Sequence, residues 1–185
     1  MKNLKLSIIF FFLSLYFVSP TQIFAGNDLD ILCTATTCTV VQGTLKLFEE
    51  GNVVPGQTFT QRLNITNQTA QTGSFATHFV NVLPNVPSPN LPEALFVEIR
   101  EGAINGPVVV GATPLTLKQL VDQGQTLLSN TSGNQTKSYF IKTTFDPTAD
   151  NRYQNLSTQF DIDFGVELLP LVTPTPGGGN PGGGG

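Results

Sequence analysis

His78 is the only histidine in this 185-residue chain, so any chemistry that relies on imidazole must pass through it. It stands between Thr77 and Phe79, in a stretch with strand character. A zinc peptidase of the common type takes two histidines and a glutamate on one helix, and one histidine does not supply that set. A Ser-His-Asp relay on a nucleophile elbow needs a serine at a sharp strand-to-helix turn, and no serine here has that setting. A mid-strand histidine is more often a half-buried structural residue, and His78 is read that way. The carboxylates meet the same test. Asp146, Asp150 and Asn151 cluster in one turn, while Asp161 and Asp163 share a strand face. Calcium takes about six to eight oxygens, which such a turn could begin to supply. The spacing is not that of an EF-hand, and Asp and Asn also make turns by bonding their own backbone, which is the favoured reading. No catalytic residue, cofactor site or metal site is assigned.

Cys33 and Cys38 are the only cysteines, with four residues between them. In an oxidising compartment that spacing suits a disulfide-closed hairpin or loop. Zinc is the rival, but it usually takes four ligands and the chain has a single histidine. Five Asn-x-Ser/Thr sequons occur, at Asn64, Asn67, Asn130, Asn134 and Asn155. They are compatible both with glycan acceptors and with chance in a chain rich in Asn and Thr.

The first 25 residues read as an export address. Lys2 and Lys5 give a positive start, Leu6 to Val18 run apolar apart from Ser7 and Ser14, Pro20 breaks the run, and Ala25 offers a cleavage point. The run is short for a membrane span, which takes about 20 residues. Signal peptidase is therefore an expected partner during export, and stable membrane insertion is not expected. Cleavage removes two of the nine basic residues and none of the thirteen acidic ones, moving the net charge from −4 to −6. A polyanion such as nucleic acid does not suit that surface. Residues 26–172 read as one domain, with residues 26–42 as an N-terminal segment. Residues 173–185 form a Pro/Gly-rich linker or tail.

The elements that would position these residues are mainly strands. Leu29, Ile31 and Cys33 alternate with Asp28, Asp30 and Leu32. Leu45 and Leu47 flank Lys46 in a second strand. Val54-Pro55-Gly56-Gln57 is a turn, and Phe59, Gln61, Leu63 and Ile65 share a face of the strand that follows. Residues 67–73 form a polar turn, residues 74–83 a central strand and residues 84–92 a Pro-rich loop. Leu95, Val97 and Ile99 alternate in another strand, followed by a short one at residues 107–110. Thr116 and Gln119 form a capping box for a helix with Leu117, Leu120 and Val121 as its buried stripe and Gly124 as its stop. Tyr139, Ile141, Thr143 and Phe145 line one strand face. Leu156 to Glu167 alternate without a break, one face for the core and one for water. The expected fold is all-β: a two-sheet antiparallel sandwich of about eight strands with one short helix.

The segments Val54-Pro55-Gly56-Gln57-Thr58, Leu63-Asn64-Ile65-Thr66-Asn67, and Asp150-Asn151-Arg152-Tyr153-Gln154-Asn155 leading into Ser157–Phe164 carry a resemblance. With the export signal and the short helix, the layout resembles the camelysin and TasA-like proteins over residues 43–167. That resemblance implies a jelly-roll-like sandwich, export, and polymerisation into fibres of the biofilm matrix through an N-terminal strand donated to the next subunit. Members have also been classed as peptidases. The Cys33–Cys38 pair and the Pro/Gly tail are departures from the core family. On this reading the partner is a second copy of the chain in a head-to-tail homopolymer. The assembly strand is Asp28, Leu29, Asp30, Ile31 and Leu32, and its pairing within the subunit or between subunits stays open. The alternatives are a surface adhesin or binding module displayed on the Pro/Gly stalk and, third, a camelysin-like peptidase.

Overall fold

Side-chain alternation sorts this chain into two sheets, because each strand has one apolar and one polar face and the apolar faces must meet. A computed structural model describes residues 22–24 (backbone only), 28–42, 53–83, 89–153, 156 and 158–169. The expected strand at Leu45 and Leu47, most of the leader, residues 84–88 of the Pro-rich loop and the tail at 173–185 lie outside them. The strands are β1 (Gln22–Phe24), β2 (Leu29–Cys33), β3 (Cys38–Gln42), β4 (Thr58–Asn67), β5 (Gly73–Leu83), β6 (Leu95–Glu101), β7 (Val108–Thr116), β8 (Thr126–Thr131), β9 (Thr136–Phe145) and β10 (Gln159–Leu168). One helix, α1 (Leu117–Gln123), lies between β7 and β8.

The larger sheet has the order β3-β2-β4-β9-β6-β7, with β1 also paired to β4, and the smaller has the order β10-β5-β8. The two-sheet sandwich is the fold expected from the sequence. Its N-terminal pairings differ from that expectation: β1 and β2 both run parallel to β4, whereas the other ladders are antiparallel. A parallel pair needs a crossover of a dozen or more residues, and the stretch from Cys33 to Thr58, which turns back through β3, supplies it. Between the sheets lie Leu63 and Ile65 of β4, Val97 and Ile99 of β6, and Tyr139 and Ile141 of β9, packed against Phe75 and Phe79 of β5 and Leu128 of β8. The Phe75 and Tyr139 rings meet edge to face at 6.4 Å.

Local chemistry explains the turns. Gln57 N–H donates to Val54 O at 3.0 Å, and Gly56 takes φ +81°, a value open to glycine at this turn position. The helix forms as its sequence directs. Thr116 Oγ1 accepts from Gln119 N–H at 3.2 Å, Gln119 Oε1 accepts from Thr116 N–H at 2.8 Å, and Leu117 and Leu120 are fully buried.

Three boundaries differ from the sequence pattern. β7 continues to Thr116 instead of stopping at Val110, passing through a bulge at Gly111 (φ +79°), where a Cβ would stand 2.5 Å from Val97 O. β10 starts at Gln159 rather than Leu156, and its ladder to β5 carries a register shift between Gln159 and Asp161. β8 has no regular alternation because it too carries a register shift, and the sequence pattern did not reveal it. The inward residues Phe160, Ile162, Phe164 and Val166 are only half-buried, because β10 is an edge strand.

Candidate functional site

The N-terminal strand β2 is the candidate site, and the alternation that defined it also fixes its orientation. Leu29, Ile31 and Cys33 point inward and are 3%, 2% and 0% exposed. Asp28, Asp30 and Leu32 point outward. The register runs from Leu29 opposite Leu63 to Cys33 opposite Asn67, in parallel along one edge of β4. Burying side chains such as Leu29 and Ile31 contributes about 1.5–3 kcal/mol each.

On the outer face a row of polar side chains crosses three strands. Asp28 pairs with Arg62. Asn64 Nδ2 donates to Asp30 Oδ1 at 2.8 Å, and Ser138 Oγ donates to Asn64 Oδ1 at 2.7 Å. Asp28 and Arg62 are both more than two-fifths exposed, so their attraction adds little to stability and serves to fix register. The inward valency of β2 and this outward row together define how an extended segment seats on β4.

Cys33 and Cys38 form a disulfide, as the spacing suggested. It closes the turn between β2 and β3, where Thr34 N–H donates to Thr37 O at 2.8 Å. β2 and β3 are therefore one covalently closed hairpin. β3 is the outer strand of that sheet, and its Val40 and Val41 are 38% and 55% exposed. Removing residues 26–33 would take Leu29, Ile31 and Cys33 out of the core and uncover Leu63 and Ile65, which stand opposite Leu29 and Ile31.

The other candidates fall elsewhere. His78 is half-buried on β5, in register with Asp163 of β10, beside a shallow open hollow that also meets Ala76, Gln125 and Gly165. Asp146 Oδ1 accepts from the N–H and hydroxyl of Thr148, both at 2.7 Å, and Asp150 Oδ1 accepts from Arg152 N–H at 2.9 Å. These carboxylates bond their own turn, and the Arg152 guanidinium holds the Asp150 carboxyl below its ordinary range. Among the described residues no group of three or more His, Cys, Asp or Glu is placed to hold a metal ion. Of the sequons, Asn67 is fully buried and its Nδ2 donates to Gln71 O and Thr131 O, whereas Asn134 is exposed in a turn. Asn155 lies outside the described residues.

One cluster was not visible in the sequence, because its members lie on three strands. Lys137 Nζ of β9 is 2.6 Å from Glu101 Oε1 of β6 and 2.9 Å from Ser129 Oγ of β8, and Ser129 Oγ is 2.9 Å from the Tyr139 hydroxyl. A serine beside a lysine is the form of a nucleophile and its base, but here the lysine is also paired with the Glu101 carboxylate. Burial pushes the Tyr139 hydroxyl above its ordinary pKa despite the hydrogen bond from Ser129. Burial also pushes Glu101 up, yet the hydrogen bonds from Lys137 and Ser129 outweigh it and the carboxyl lies below its ordinary value. The cluster joins the larger sheet to the smaller. Among the described residues no helix is long and apolar enough to cross a membrane. Comparison of the chain with protein-family models and with curated proteins finds no match.

Proposed function

We propose that this chain is an exported structural subunit that assembles with copies of itself into extracellular fibres, using its N-terminal strand as the connecting element. The observation that carries the reading is the seating of β2. A short terminal strand places Leu29, Ile31 and Cys33 in the core, yet its ladder to the body of the domain is five positions along a single edge of β4. The same seat on a neighbouring subunit offers the same contacts, which is the physical basis of strand addition and of domain swapping. An exchange of this kind passes from one copy to the next without closing, so it builds filaments. The camelysin and TasA-like resemblance favours the same reading.

The disulfide adds that the exchanged unit is the β2–β3 hairpin, since the Cys33–Cys38 bond carries β3 wherever β2 goes. The test is negative-stain microscopy of the processed protein across salt and pH, with sedimentation velocity alongside. Filaments are expected. A monodisperse monomer under every condition contradicts the reading.

A further inference from the structure

β1 and β2 lie along the same edge of β4 but cover different parts of it. β1 is in register with Thr58–Thr60 and β2 with Leu63–Asn67, both in parallel. The first piece of cover comes from residues 22–24, ahead of the expected cut after Ala25. Processing therefore removes β1 and keeps β2. The β2 register begins at Leu29 opposite Leu63, so β2 itself does not reach Thr58–Thr60. Among the described residues β1 is the one strand that lies along that part of the edge.

We propose that the β4 edge at Thr58–Thr60 is an acceptor slot for an extended strand of a second copy, held by the leader in the unprocessed chain and opened when the leader is cut away. The inference rests on the export and self-assembly reading above. In the unprocessed chain Gln22–Phe24 stands in for the incoming strand, and it defines what the slot takes: a short uncharged segment, parallel to β4. The slot itself, Thr58-Phe59-Thr60, carries no charge, so no like-charge contact opposes an uncharged strand. Backbone N–H and C=O groups left unpaired along a sheet edge are a template for another chain. Two other strand edges, β7 and β10, suit this less. β7 carries Pro114 and the Gly111 bulge, and β10 carries Asp161, Asp163 and Glu167 on its outer face, which would meet like charges when copies pair.

The experiment compares two chains, residues 22–185 and residues 26–185, by sedimentation velocity, electron microscopy and backbone amide exchange. The longer chain is expected to remain monomeric, with slow exchange at those amides within residues 58–60 that face away from β9. The shorter chain is expected to lose that protection as a monomer and to assemble. A synthetic peptide of residues 20–25, added to the shorter chain, is expected to restore the protection and suppress assembly. Equal assembly by both chains, with the peptide inert, overturns the slot while leaving self-assembly standing. Assembly by neither chain overturns self-assembly and the acceptor role with it.

Discussion

Glu101, Lys137, Ser129 and Tyr139 form an ionic network that ties the two sheets together through side chains, and its titration gives a sharp test at the residue scale. The Glu101 carboxyl has a folded pKa below its ordinary 4.5. Its contribution to stability is therefore present above the unfolded pKa and is lost as pH falls through the folded one. Between pH 7 and about pH 3 the urea midpoint should fall further for the natural chain than for Glu101→Gln, which has no such proton to take up. Equal falls would mean that the network contributes nothing to folding. Tyr139→Phe should cost about 1 kcal/mol in urea unfolding at pH 7, the usual net value of one hydrogen bond, because the ring stays and the hydroxyl partner of Ser129 goes. None of this was legible in the sequence. The four residues lie between Glu101 and Tyr139 in the chain with no motif linking them, and only the pairing of β6 with β9 and the packing of β8 from the other sheet bring them together. What was legible is the local chemistry: the Thr116–Gln119 capping box, the Gly56 turn, the disulfide, and the Asp146 and Asp150 turns. Each of these is decided within six residues of chain.

At the scale of elements, alternation read the strands well wherever the ladder is regular. β4, β6 and β9 hold the faces predicted for them, since the β4–β9 and β6–β9 ladders run without a register shift. It failed where a bulge breaks the period. β8 was missed and β7 drawn too short, because a register shift moves side chains to the opposite face without any mark in composition, and β10 was drawn three residues too long at its start. The parallel pairing of β2 was also hidden, as alternation reports the face of a strand and not its direction. The hairpin makes its own predictions. Ile31→Ala should lower stability by about 2–5 kcal/mol by chemical denaturation, while Val41→Ala, on the exposed side of β3, should change it by less than about 0.5 kcal/mol. Reduction of Cys33–Cys38 should cost about 2 kcal/mol, the loop-closure value for so short a loop, read as a lower urea midpoint in dithiothreitol. No change on reduction would leave the hairpin's unity without support.

For the whole molecule, three strands cannot cover seven. The helix α1 closes part of the larger sheet through Leu117 and Leu120, and the opposite margin is left to the β2–β3 hairpin and to β10, whose inward side chains remain half-buried. A sandwich with one well-sealed margin and one lightly sealed by its own terminus is suited to sharing that terminus, and the proposed assembly rests on this asymmetry. The most direct test mixes two single variants, Asp30→Cys and Asn64→Cys, whose positions face each other across β2 and β4. After co-assembly and mild oxidation, non-reducing gels should show covalent dimers between the two variants, because a donated strand brings residue 30 of one copy against residue 64 of another. Filaments that form with no such dimers, while the double variant cross-links within each chain, would contradict strand donation.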